Sequence, residues 1–266
     1  MEQIAIIYTT FLRDQLLYKT VQAIIDMYPS NCRLFIGNQS YQTDEERLRG
    51  FSEFSVAINN HAHFPIEYYN LPFDCGLSYA RNFLVAKAYL NQCQYSVITA
   101  DSIFFTQCYN FHQFIPFLES NETYAKVGFN LNQRIAWEFN LELADSFVLQ
   151  CATEKIDYQG INYKKVDICR NFFIAKTSAL IAVPWDNELK LLEHEDHCWR
   201  LKLAGYKTFV TDILTANYLS YKPNEYSQYR ERMYNEYMNK LKEKYHLTSW
   251  IKYGEGVLDE IHRKKG

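Results

Sequence analysis

Three stretches of this chain carry residues that could do chemistry. The densest is "EHEDHCWRLKLAG" (193–205), where Glu193, Glu195 and Asp196 stand with His194 and His197 ahead of an apolar stripe. A carboxylate held there can take a proton from a hydroxyl, the task of a general base. Acids at a helix start also complement its positive end and need no chemical task. His and carboxylates in alternation suggest a metal, but adjacent residues on a helix face different ways and no H-x-x-x-H pair is present, so zinc is disfavoured. The second stretch, "VITADSIFFT" (97–106), sets Asp101 inside an apolar run. A strand that ends at a cleft delivers such a side chain; a helix cap is the plain alternative, although "SIFF" is a poor helix start. The third, "GLSYARNFLVAKA" (76–88), puts Arg81 and Asn82 in the first turns of a helix. Arginine there can bind a phosphate or hold an acidic partner, or simply lie on the surface.

The elements that must position these residues follow from hydrophobic periodicity. "IAIIYT" (4–9), "RLFIGN" (33–38), "IEYYN" (66–70) and "YSVITA" (95–100) read as buried strands. Asp14 can cap a helix with Leu17, Val21, Ile24, Ile25 and Tyr28 on its apolar face, ended by Pro29. A polar stretch over 39–48 is a loop running into a short helix, and a further helix runs from about Leu77 to Leu90. Strands alternating with helices, each strand continuously apolar, predict a parallel sheet covered on both faces. Such sheets bind ligands at the carboxyl ends of their strands, where Asn38 and Asp101 both fall.

The second half is less regular. "YAKVGFN", "RIAWEFN", "DSFVLQC" and "CRNFFIAK" are strand-like; a helix over 195–204 ends at Gly205, and "YKTFVT" and "ILTANYL" follow as strands. A long amphipathic helix over 226–246 carries Tyr226, Tyr229, Met233, Tyr237 and Leu241 on one face. There is no repeat, low-complexity linker or composition break. The chain reads as one domain over 1–222 with a C-terminal helical extension, 223–266, packed on it.

Composition sets bounds. The chain has 266 residues, 48% of them apolar, which can bury a substantial core, and its net charge of −3 argues against a nucleic-acid partner. The 7 cysteines form no C-x-x-C pair and read as reduced, mostly buried thiols of a cytoplasmic protein. The N-terminus lacks the basic flank of a signal peptide, and no apolar run approaches a membrane span. Arg230, Arg232, Lys240, Lys242 and Lys244, with the terminal "HRKKG", could touch an anionic membrane; a solvated helix face is preferred.

The order of these pieces resembles the GT-A fold of nucleotide-sugar-dependent glycosyltransferases, and glycosyltransferase family 2 in particular, over residues 4–221. "IIYTTFLRDQLLYKTVQAI" resembles the opening strand and helix, "FIGNQS" stands at the turn after the second strand, and "GLSYARN" is similar to a Gly-x-x-x-Ala-Arg-Asn segment. "VITADS" stands at the metal-binding Asp-x-Asp position. "NFFIAKTSALIAVPWDNELKLLEHEDHCWRLKLAGYKT" is similar to the acceptor-side half of the β-1,4-N-acetylgalactosaminyltransferase branch.

The resemblance implies an α/β fold, Rossmann-like, with a mostly parallel central sheet flanked by helices. It implies transfer of a sugar from a nucleotide-sugar donor to an acceptor hydroxyl, inverting, on a glycan or lipid-linked glycan in surface polysaccharide assembly. Asp196 is the expected base, Glu195 the next choice, and the register also admits Glu193. Thr9, Asn38, Arg81, Asp101 and Ser102 are expected to bind the donor. His194 and Trp199 are expected on the acceptor side, with core packing the preferred reading of Trp199. The chain departs from the family at Asn38 and Gln39, which replace aspartates, at Ala100 and Ser102 around Asp101, and at Asn217, where a metal-binding His is usual. Mn²⁺ or Mg²⁺, with Asp101 as ligand, is therefore disfavoured; Arg81, Lys176 and Lys222 are the cations expected to face the leaving diphosphate, and Asp212 is a carboxylate that a shifted alignment would bring in. A degenerate domain that only binds carbohydrate or scaffolds a synthase, and transfer of another group such as a polyol phosphate, are the alternatives.

Overall fold

The computed structural model describes residues 3–27, 32–58, 64–132, 138–219, 225–255 and 257. Its first part alternates as the periodicity requires: β1 (Ile4–Thr10), α1 (Asp14–Met27), β2 (Cys32–Asn38), α2 (Asp44–Ala57), β3 (Ile66–Asn70), α3 (Gly76–Leu90) and β4 (Tyr95–Ile98). β1 is buried along its whole length, because side chains alternate between two covered faces. Ile4, Ile6 and Tyr8 pack with Leu17, Val21 and Ile24 of α1. Ala5 and Ile7 pack with Leu84, Val85 and Ala88 of α3 on the other face. The loop at 39–43 leads into α2 through a capping box, in which Thr43 Oγ1 accepts from the Glu46 amide and Glu46 accepts from the Thr43 amide.

The remaining elements are β5 (Ile103–Phe104), a 3₁₀ turn at Phe111–Phe114, α4 (Ile115–Glu119), β6 (Tyr124–Asn132), β7 (Phe139–Leu143), β8 (Phe147–Cys151), β9 (Lys155–Tyr158), β10 (Ile161–Val166), β11 (Phe173–Lys176), α5 (Thr177–Ala182), α6 (Glu193–Leu203), β12 (Lys207–Tyr218), α7 (Glu225–Tyr245) and β13 (Ile251–Tyr253). The large sheet runs β3-β2-β1-β4-β11-β6-β12-β10-β9, with β5 on β12. β3, β2, β1 and β4 are mutually parallel. β11 lies antiparallel between β4 and β6, so beyond β4 the sheet is mixed.

Two expectations change. The strands expected at "YKTFVT" and "ILTANYL" are one strand, β12, whose pairing with β6 slips between Val210 and Thr215. The hairpin β9–β10 was not anticipated: Gln159 and Gly160 both take positive φ, 52° and 78°, as a two-residue hairpin turn demands. The expected strand at 134–140 falls partly on residues outside those described, as do Tyr28, Pro29, Lys222 and the "HRKKG" terminus.

A smaller sheet, β13-β8-β7, sits beside the large one. Tyr237 and Leu241 of α7 are buried against Phe139, Phe147, Leu191 and Cys198. α7 is thereby fastened to the hairpin β7–β8 and to α6, the helix that carries the acidic cluster.

Candidate functional site

A cavity of about 280 Å³ opens at the carboxyl ends of β1 and β4. Thr9 and Arg13 reach it from β1 and the turn that follows, Ser102 from beyond β4, and Arg81 from α3. His194 and Glu195 enter from the first turn of α6, Arg170 from the loop before β11, and Arg230 from α7. The structure thus brings together Thr9, Arg81, Ser102, His194 and Glu195 of the expected site residues.

Asp101 lies under the wall of this cavity, fully buried. Its Oδ2 accepts from Thr10 Oγ1 at 2.8 Å, and its Oδ1 is 2.5 Å from Arg13 Nη2. Burial pushes the carboxyl up to about 6, against the pull of Arg13 and Thr10. Arg13 is the residue that motif reading overlooked. The signal was available, since Arg13 follows β1 and β4 pairs directly with β1, which sets the two strand exits side by side.

The Gly-x-x-x-Ala-Arg-Asn segment grips the chain leading into α6. Ser78 Oγ donates to the Leu189 carbonyl at 2.6 Å. Asn82 donates to the Trp185 carbonyl at 2.7 Å and accepts from the Trp185 amide at 2.8 Å. Arg81 Nη1 is 2.8 Å from Glu193 Oε1, both side chains being buried. Of the alternatives for Arg81, holding an acidic partner is what its geometry shows, while it also lines the cavity. Gly76 has a φ of 86°, and a Cβ there would meet Lys190 Cγ at 2.7 Å. Only glycine lets α3 start this close to the 185–193 segment.

That segment ends in strain. Leu192, just ahead of α6, is left-handed with a φ of 60° and gives no side-chain cap. Such a conformation is held only where surrounding contacts enforce it, often beside a functional group. It aims the three acids in different directions. Glu193 goes to Arg81. Asp196 turns away from the cavity: its Oδ1 accepts from Lys244 at 2.5 Å and Tyr245 at 2.7 Å, both on α7, and its Oδ2 from Arg200 at 2.9 Å. Glu195 lines the cavity. Burial, reinforced by the charge of Glu193, pushes its carboxyl up to about 8, with Arg230 pulling the other way. Burial also drives His194 and His197 well below the ordinary histidine range, so both rings are neutral. His197 stacks on Trp185 at 4.0 Å and pairs with the Val183 carbonyl, a core role.

Other expected residues stand apart. Asn38 is buried; its Nδ2 donates to Asp14 at 2.7 Å and Tyr68 at 2.9 Å, and its Oδ1 accepts from the Ser40 amide. Trp199 packs with the small-sheet cluster near Phe147. Asn217 Oδ1 accepts from Asn132 at 2.5 Å, and Asp212 is exposed. Lys176 lies beside Tyr95 at the amino end of β4, the end away from the cavity, where it donates to the Asn121 carbonyl. The α7 cations expected to face a membrane are partly engaged within the protein: Lys244 with Asp186 and Asp196, Lys240 with Glu236. Cysteines 32, 75, 93, 108, 151, 169 and 198 are free thiols. Among the described residues no helix is long and apolar enough to cross a membrane.

No family model and no curated protein matches the chain. Solved structures do. A mannosyltransferase from Pyrobaculum calidifontis, in complex with GDP-Man and Mn²⁺, superposes with a TM-score of 0.59 at 11% identity, over 98% of this chain and 68% of that one. TarS of S. aureus superposes at 0.53 and 10%, covering 91% of this chain and 44% of that one. TarS 1–349 in complex with UDP gives 0.52 and 9%, over 91% and 72%. At such low identities the likeness establishes a shared fold: a mixed α/β chain with a large central sheet flanked by helices, as in these glycosyltransferase structures.

Proposed function

We propose that this chain is a nucleotide-sugar-dependent, inverting glycosyltransferase, related to glycosyltransferase family 2, with Glu195 as its general base. The observation that carries the proposal is the meeting of a buried carboxylate, Glu195, with a cation-lined cavity at the ends of parallel strands. Glu193 is neutralised by Arg81, and Asp196 is held by α7. Glu193 and Glu195 both line the cavity, but Glu193 is paired there with Arg81, which leaves Glu195 as the proposed base. The shared fold supports the reading, because related structures hold GDP-Man and UDP.

In the proposed reaction the acceptor hydroxyl gives its proton to Glu195 as its oxygen attacks the anomeric carbon. The bond from that carbon to the diphosphate breaks, and its electron pair leaves on the diphosphate oxygen. A base whose carboxyl titrates near 8 is strong enough to accept that proton, and at neutral pH its ionised fraction sets the rate. His194, neutral and beside Glu195 on the wall, offers a hydrogen bond to the acceptor. Thr9 and Ser102 present hydroxyls to the donor. A glycan or lipid-linked glycan is the proposed acceptor.

One observation favours the non-catalytic alternative: Asn38 directs its amide to Asp14, Tyr68 and Ser40 and so offers little to a nucleotide base. Incubation with a panel of nucleotide sugars, scored by nucleotide release onto water or glycan acceptors, separates the two. The transferase releases nucleotide from one donor class; a binding domain releases none from any.

A further inference from the structure

The fold is shared with a glycosyltransferase that holds Mn²⁺, so the residues here must be tested against that ion. They do not fit it. A divalent ion bridging a diphosphate needs several oxygen ligands from the protein. Asp101 has Ala100 before it and Ser102 after it, and both of its oxygens are engaged, one by Thr10 and one by Arg13. Asn217 is turned to Asn132, and Glu193 is bound to Arg81. A cation placed against Asp101 would lie beside the Arg13 guanidinium, and displacing Arg13 would break a buried ion pair.

Resting on the donor site assigned above, we propose that Arg13 stands where a divalent cation would, and that with Arg170 and Arg230 it binds the donor's diphosphate without metal. Asp101 is then a positioning residue: it holds the guanidinium as a carboxylate ligand would hold an ion. The geometry suits the task. Arg13 contacts Asp101 on its buried side and lines the cavity on the other. A guanidinium carries N–H donors in a planar fork, which can grip a carboxylate and a phosphate at once. Arg170 and Arg230 approach from different elements, so the cavity meets an anion from several sides. When the glycosyl bond breaks, the diphosphate gains one negative charge, and fixed cations in a dry site stabilise that charge as it develops.

The test is calorimetric titration with UDP, GDP, dTDP and ADP, and with the matching nucleosides, in chelator and then with added Mn²⁺. Wild-type protein is expected to bind one diphosphate in chelator, with affinity unchanged by Mn²⁺. Arg13→Ala and Arg170→Ala are each expected to weaken that diphosphate at least about tenfold and to leave the nucleoside's affinity unchanged. Arg170→Ala guards against a folding failure in the Arg13 variant, because Arg170 is not the partner of Asp101. Diphosphate binding that appears only with Mn²⁺, or nucleoside affinity that falls as far as diphosphate affinity in both variants, would overturn the clamp and leave the transferase reading standing. Failure of every nucleotide to bind under either condition would overturn the donor site and the clamp together.

Discussion

Asp101 and Glu195 are both buried carboxylates at one cavity, and they have opposite surroundings. Asp101 is gripped by Arg13 and Thr10, and burial lifts it only to about 6. Glu195 sits next to Glu193, and burial lifts it to about 8 against the pull of Arg230. A cation in direct contact pulls a buried carboxylate back toward its ionised form; burial beside a like charge, as at Glu195, leaves a group that takes up a proton readily. The start of α6 repeats the contrast within four residues. Glu193 and Asp196 are locked by Arg81 and by Lys244, Arg200 and Tyr245, while Glu195, raised by burial, lines the cavity.

The contrast can be broken at the locked positions first. Arg81→Ala leaves Glu193 buried and uncompensated, and it should lower unfolding free energy by about 3–5 kcal/mol, read as a large drop in denaturation midpoint. A midpoint near wild type would mean that Glu193 is not held as described. Next comes Glu195→Gln, which should stabilise the protein at alkaline pH. The Glu195 carboxyl titrates at about 8 when folded, well above its unfolded value. The folded state therefore holds a proton that the unfolded state has lost. Wild-type stability from this group falls as pH rises from about 4.5 to about 8, by about 4 kcal/mol. Melting curves for wild type and Glu195→Gln should converge near pH 5 and separate toward pH 8, the variant being the more stable. Parallel curves would contradict the raised carboxyl.

Much of this was legible in the sequence. β1 to β4 were visible because each is continuously apolar between helical patterns, and strand β3 has its expected bounds, 66–70. The acidic start of α6 was visible as a cluster, but the division of labour within it was not. That division depends on α7, more than 40 residues later in the chain, bringing Lys244 and Tyr245 to Asp196. Sequence spacing alone cannot show which of three neighbouring acids a distant helix will claim. Arg13 was hidden for the same reason, since its partner Asp101 is 88 positions away. The join of two expected strands into β12 was missed because Asp212 and Ile213 mark an irregularity in its pairing that resembles a turn.

Asp196→Asn sharpens the comparison further down the scale. It should lose about 2 kcal/mol through weakened ties to α7, while turnover per folded molecule stays close to wild type. A variant that is stable but inactive would move the base to Asp196. Asn82→Ala removes both bonds to Trp185 and should lower unfolding free energy by about 1–2 kcal/mol; an unchanged midpoint would mean that the grip of α3 on the 185–193 segment contributes little.

The central claim is that Glu195 takes the acceptor's proton, and the pH dependence of kcat/KM tests it most directly once a donor is in hand. Wild-type activity should rise with pH and level off near 8, the value at which the buried carboxyl ionises. Glu195→Gln should bind the nucleotide as wild type does, lose at least about 10²-fold in kcat, and show no such rise. A Glu195→Gln enzyme that turns over at the wild-type rate with the same pH profile would contradict the account.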